Sequence, residues 1–127
     1  MVVHDEGRVI AYYGLAPTAV EPRLLPRRIR TGQPPNPLPC LLLGQVAVDE
    51  RYKGRGLGVA MVAHALERSV LSADLTGGRA VLVNAVDEEA ARFWRSRGFV
   101  PSPSDAFQLF RSLPDIRASL ATARRPR

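Results

Sequence analysis

The feature that most constrains this chain is the segment Arg51-Tyr52-Lys53-Gly54-Arg55-Gly56-Leu57-Gly58. It follows an apolar run, Cys40-Leu41-Leu42-Leu43-Gly44-Gln45-Val46-Ala47-Val48, and precedes a stretch of helical periodicity from Gly56 to about Leu71. The apolar run reads as a buried strand, in which Gly44 signals a bulge or a close backbone approach. The stretch after the loop places Leu57, Ala60, Met61, Ala63, Ala65, Leu66 and Val70 against a core and His64, Glu67 and Arg68 at more polar positions. Gly54, Gly56 and Gly58 let the connecting backbone take positive φ and approach a ligand closely. A helix start there presents unpaired N–H groups and the positive end of the macrodipole, a site for a pyrophosphate. Lys53 and Arg55 add charge at the same place. The alternative is a glycine-rich turn with no ligand. Neither common phosphate loop is present: there is no G-x-x-x-x-G-K-S/T, and G-x-G-x-G is not the dinucleotide spacing G-x-G-x-x-G.

The elements around this unit give an α/β domain with a mixed sheet. Residues 8–15 are β-branched and aromatic and read as a strand, with residues 1–4 as the end of a preceding one and Asp5-Glu6-Gly7 as the hairpin turn. Residues 21–39 carry Pro22, Pro26, Pro34, Pro35, Pro37 and Pro39 and read as a long loop. Asp74–Gly78 is expected to be a turn, residues 79–85 a second buried strand, and Asp87–Arg97 a short helix stopped by Gly98. Residues 106–113 alternate as a strand, and Pro114–Arg127 is a weakly helical basic tail. The expected division is a core over 1–114 and a tail over 115–127.

Length and composition set the class. The 127 residues are 46% hydrophobic, enough for the core of one domain. No apolar run reaches the roughly 18 residues of a membrane span, and the first residues lack the basic start and apolar centre of a signal peptide. The expectation is a cytoplasmic protein without a membrane partner, and the single Cys40 agrees with a reducing compartment. The net charge of +6 is carried by arginine, with Lys53 the one lysine. Two readings stand: a basic face for a phosphate-rich partner such as RNA, or the arginine usage of a high-GC genome.

Further along the chain the residues support a family resemblance. Arg51-x-x-Gly54-x-Gly56 resembles the R/Q-x-x-G-x-G/A motif of GNAT acetyltransferases. Ala91-Arg92-Phe93-Trp94, followed by Gly98-Phe99, resembles that family's alanine, Phe-Tyr and Gly-Phe element. The order agrees from about Arg8 to Leu113. The similarity is strongest to the GNAT toxins of bacterial toxin–antitoxin operons, through Val9-Ile10-Ala11-Tyr12-Tyr13, the proline loop, Val46-Ala47-Val48-Asp49 and Leu113-Pro114.

The resemblance implies acetyl-CoA as cosubstrate. Its pyrophosphate would lie on Lys53, Gly54, Arg55, Gly56, Leu57 and Gly58, and its pantetheine arm along Val46, Ala47 and Val48, with Asn84 and Phe93 nearby. It implies acetylation of the α-amino group of aminoacyl-tRNA and neutralisation by a ribbon-helix-helix antitoxin. Two departures accompany it. Trp94 stands where the family has the tyrosine that protonates the leaving thiolate, and indole does not act as a general acid near neutral pH. The family normally has a strand and one or two helices before the hairpin, whereas Met1 falls in the first hairpin here; those elements are expected to be absent, and an uncovered sheet would favour self-association as a homodimer or a partner subunit. The alternatives are an acetyltransferase for a protein or small-molecule amine, and an inactive remnant that binds acetyl-CoA or antitoxin. No metal site is expected: His4, His64, Cys40 and the pair Glu88-Glu89 have no ligand spacing and read as ordinary structural residues.

Overall fold

A computed structural model describes residues 2–5, 7–30, 34–48 and 56–123. The elements are β1 (Val2–Asp5), β2 (Arg8–Val20), a 3₁₀ turn (Pro22–Leu24), β3 (Leu38–Val48), α1 (Leu57–Thr76), β4 (Ala80–Asn84), α2 (Glu88–Ser96), β5 (Val100–Ser102), β6 (Asp105–Ser112) and α3 (Leu113–Ala123). The strands form one sheet in the order β1-β2-β3-β4-β6-β5. Among the described residues only β3 and β4 pair in parallel, through the crossover helix α1; the other pairs are antiparallel. This is the mixed α/β sheet expected from the alternation of apolar runs and helical stretches.

The central strands lack polar alternation because both faces are covered. On one face Leu41, Leu43, Val81, Val83 and Leu109 pack with Met61 and Ala65 of α1, Trp94 of α2, Ile116 of α3 and Phe99, which follows α2. On the other, Leu38, Cys40, Ala80, Leu82 and Phe110 pack under Leu25, with Leu24 and Ile29 alongside. The segment after β2 is therefore more than a loop: the 3₁₀ turn and Leu25, fully buried, cap the second face.

Several boundaries differ from the sequence reading. β2 continues five residues past Leu15, to Val20, because it stays in register with β3 as far as Val20↔Leu38. Pro17 is accommodated because β1 reaches only Tyr12, so beyond that point β2 is an edge strand. α1 runs to Thr76, so Asp74 is helical and not part of a turn. Its buried face continues through Ser69 and Ala73, and the Ser69 hydroxyl donates to the Ala65 carbonyl at 2.8 Å. Gly77, at φ 75°, closes the helix by donating its N–H to Ala73 at 2.8 Å. Asp74 instead accepts from Arg117 of α3 at 2.6 Å. Residues 114–123, read as part of a weakly helical tail, belong to the helix Leu113–Ala123, which buries Leu113 and Ile116 in the core. β5, three residues long, has no counterpart in the sequence reading.

Candidate active-site cleft

The cleft follows from how β3 and β4 part. They pair at Leu41↔Val81 and Leu42↔Leu82, and no further pair is formed among the described residues. β3 instead stays with β2, as far as Ala11↔Val48. Between Tyr12↔Ala47 and Gly14↔Gly44 the register shifts: two steps along β2 match three along β3. The extra residue is a bulge just after Gly44, which bends the strand at the place where the sequence signalled one. Ala47 and Val48 thus pair with β2 on one side only, while the side towards β4 is open at the level of the backbone.

The gap forms a cleft of about 300 Å³ lined by Leu42, Leu43, Gly44, Asn84, Val86, Ala90 and Trp94. Asn84 ends β4 opposite Gln108 and is exposed. The chain then turns, with Asp87 accepting from the Ala90 N–H at 2.8 Å as the N-cap of α2. Glu88 and Glu89 occupy the first helical turn, where carboxylates suit the dipole, and Glu88 pairs with Arg95 at 2.8 Å. This cap sets Ala90 and Trp94, one turn apart, on the cleft side.

Trp94 is buried, with 6% of its surface exposed. Phe93 meets it at 5.3 Å between ring centroids and 79° between planes. Phe99 meets it at 5.2 Å and 66°. Phe93 itself is half-buried against the same core. The indole therefore does two things: it fills the core beneath β6, and it forms part of the cleft wall.

The start of α1 lies at the same end of the sheet by connectivity, since the helix after a parallel strand begins at that strand's C-terminal end. Gly56 takes φ 74° and ψ 5°, a left-handed conformation, and its carbonyl accepts from the Ala60 N–H at 3.0 Å. No acidic residue sits in the first turn, which contains Leu57 and Gly58. The helix end thus keeps its positive character. Lys53, Gly54 and Arg55, together with Arg51 and Tyr52, lie outside the described residues. The cleft fits a long thin group with an anionic end: an open strand edge for amide hydrogen bonds, a partly apolar channel, and a helix N-terminus beyond it.

The other candidates fall elsewhere. His64, read as structural, forms a short hydrogen bond between its Nδ1 and the Tyr13 hydroxyl, in a separate cleft with Leu15, Arg68 and Ser72. Burial pushes the Tyr13 phenol above its ordinary value, against a smaller opposing effect of Arg68. Ser96 donates to the Phe93 carbonyl at 2.6 Å and does not line the cleft. Among the described residues no three His, Cys, Asp or Glu side chains cluster as metal ligands, and no helix is long and apolar enough to cross a membrane. Leu42, Leu43, Val86 and Ala90 were not singled out from the sequence as cleft residues. Only Gly44 hinted at the parting of the strands that brings them together.

Comparison with known proteins agrees with this geometry. Residues 1–101 match the acetyltransferase (GNAT) domain. A tRNA-acetylating toxin of Mycobacterium tuberculosis (strain ATCC 25618 / H37Rv) is 40% identical over 113 residues, which are 89% of this chain and 68% of the toxin. The structure of AtaT complexed with acetyl-methionyl-tRNAfMet superposes with a TM-score of 0.81 at 28% identity, covering 91% of this chain and 70% of AtaT. A Tyr-to-Phe mutant of AtaT bound to the C-terminus of its antitoxin AtaR and to acetyl-CoA gives a TM-score of 0.73 at 26% identity, covering 89% and 66%. With the parting strands, the bulge and the family match in place, the chain belongs to the GNAT acetyltransferases.

Proposed function

We propose that this chain transfers the acetyl group of acetyl-CoA to the α-amino group of an aminoacyl-tRNA in the cytoplasm, in the manner of a translation-blocking toxin held in check by an antitoxin. The observation that carries the reading is the cleft at the divergence of β3 and β4, open between Gly44 and Asn84. The similarity to a tRNA-acetylating toxin and to AtaT with its acetylated tRNA supports the choice of acceptor. The similarity to AtaT with acetyl-CoA and AtaR supports the cosubstrate and the partner.

In this reading acetyl-CoA supplies an activated acetyl group, and the protein's part is binding and orientation. The edges of Val46, Ala47 and Val48 hold the pantetheine arm, and Lys53 to Gly58 hold the pyrophosphate. Asn84 and Phe93 flank the arm on the side of β4 and α2. A backbone N–H near Val46 or Val48 steadies the charge that develops on the thioester oxygen. Holding amine and thioester together supplies much of the rate. Trp94 occupies the position of the family tyrosine and gives no proton near neutral pH. A thiolate is a far better leaving group than an amine, so coenzyme A leaves without an acid, more slowly by roughly 10²–10⁴-fold.

A second reading is favoured by the buried aromatic packing of Trp94: a protein that binds acetyl-CoA and antitoxin without turnover. Labelled acetyl-CoA, charged tRNA and the full chain separate the two. Label on the aminoacyl group supports transfer. Saturable binding of acetyl-CoA with no label transferred supports the second reading.

A further inference from the structure

At the opposite end of β3 and β4 from the cleft, the fold gathers arginines. Leu25 is fully buried and Ile29 packs beside it over Leu38, Ala80 and Phe110. The carbonyl of Pro26 accepts from the N–H groups of Ile29 and Arg30, each at 3.0 Å. This turn holds Arg28 and Arg30 over the starts of the two parallel strands. Arg79 immediately precedes β4; its N–H donates to the Pro39 carbonyl at 2.8 Å and its own carbonyl accepts from Leu113 at 3.0 Å. Two adjoining clefts of about 230 and 310 Å³ lie among these residues and share Arg28, Ile29 and Ser112, so they form one groove. α3 begins at the groove, where the Ser112 hydroxyl accepts from the Asp115 N–H at 3.2 Å.

The charges in the groove do not balance. Arg111 is neutralised: it donates to Asp115 at 2.7 Å and to the Arg97 carbonyl at 3.1 Å. Among the described residues Asp115 is the one carboxylate that lines either cleft. Arg28, Arg30 and Arg79 have no ion-pair partner among the described residues, whereas Arg23, Arg95 and Arg117 do. A groove with three unpaired guanidinium groups and a helix N-terminus selects a multiply charged anion, and the planar fork of arginine matches phosphate oxygens.

We propose that this groove binds backbone phosphates of the RNA that carries the acceptor amine, an inference that rests on the aminoacyl-tRNA reading above. The topology favours RNA over an acidic protein. Alternate residues Leu38, Cys40 and Leu42 on β3, and Ala80, Leu82 and Asn84 on β4, share the sheet face on which the groove lies. Leu42 and Asn84 also line the transfer cleft. Four residues of β4, Ala80–Val83, lie between Arg79 in the groove and Asn84 in the cleft, a separation of roughly 16 Å. A ligand with phosphates at one end and a reactive amine at the other spans that distance along one face.

The test is binding of fluorescently labelled, deacylated tRNA to the full chain as salt is varied. Each phosphate contact contributes about 0.7–0.9 to the slope of log affinity against log salt. The triple variant Arg28→Gln, Arg30→Gln, Arg79→Gln should lower the slope by about 2–3 and leave acetyl-CoA binding unchanged. The control Arg23→Gln, Arg95→Gln, Arg117→Gln removes the same formal charge from ion-paired arginines and should change it by less than about 1. If the triple variant does not fold, Arg79→Gln alone should lower the slope by about 1. An unchanged slope in the groove variants, an equal loss in the control, or displacement of tRNA by poly-glutamate at equal ionic strength would overturn the proposal. Because the RNA is deacylated, groove-dependent binding with no acetylation of charged tRNA would reject the reaction and keep the groove.

Discussion

Trp94 stands edge-on to Phe99, with ring centroids 5.2 Å apart and planes at 66°. The indole is thereby locked in the core at the back of the cleft. Trp94→Ala is expected to cost roughly 3–5 kcal/mol, the usual range for a buried aromatic, as read by urea denaturation. Trp94→Tyr keeps a ring against Phe93 and Phe99 and introduces a phenol. It should raise the rate of acetyl transfer to charged tRNA, by at most roughly 10²–10⁴-fold. A folded Trp94→Tyr protein with no gain in rate would show that the missing proton donor does not limit turnover.

Gly98 and Gly77 offer a comparison at matched backbone. Both take positive φ, 89° and 75°. A Cβ on Gly98 would lie 3.0 Å from Nε of Arg111, whereas one on Gly77 would meet nothing within 4 Å. Gly77→Ala should cost about 1–2 kcal/mol from backbone strain alone. Gly98→Ala should cost more, up to about 3 kcal/mol, because it also pushes the guanidinium away from Asp115 and Arg97. Equal losses in thermal or urea unfolding would show that Arg111 moves aside freely.

Much of this architecture is legible in the sequence, and the rest is not for identifiable reasons. Leu41-Leu42-Leu43 and Val81-Leu82-Val83 declare themselves as buried strands because both faces of a central strand are apolar. Gly98 and Asp87 mark the ends of α2 through local chemistry alone. The end of α1 is not legible because Asp74 and the two glycines resemble a turn, whereas tertiary contacts through Ser69, Ala73 and Arg117 extend the helix. Pro17 hid the length of β2, since its tolerance depends on an edge that only the fold creates. The cleft itself was legible at Gly44, Asn84 and Trp94. Its other walls, Leu42, Val86 and Ala90, are set by where two strands stop pairing, which no local pattern encodes.

Cys40 gives a pH prediction with a definite sign. It is buried, and burial pushes its thiol up to about 11 against smaller opposing effects of the Ala80 backbone and Arg79. The unfolded thiol ionises near its ordinary value of 9.0. Below that pH both states keep the proton and the full contribution is present. Between about 9 and 11 the unfolded state loses its proton first, so stability falls as pH rises. Urea midpoints for wild type and Cys40→Ala should show a steeper decline for wild type from pH 8 to pH 10, and Cys40 should react with thiol reagents only after unfolding. Identical pH dependence in the two proteins would contradict the assignment.

Loss of the Asp87 cap should loosen the cleft wall. Asp87→Ala removes the acceptor for the Ala90 N–H and is expected to cost about 1 kcal/mol. Because Ala90 and Trp94 both line the cleft, acetyl-CoA affinity should fall in the same variant. Full affinity together with the stability loss would separate the cap from the site.

The central claim is that the divergence of β3 and β4 is where acetyl-CoA lies. A crystal structure of the full chain with acetyl-CoA tests it most directly. Density for the pantetheine arm is expected between Gly44 and Asn84, beside Trp94, with the pyrophosphate at the start of α1 near Gly56. Density at any other place on the molecule, or an empty cleft at saturating acetyl-CoA, would contradict it.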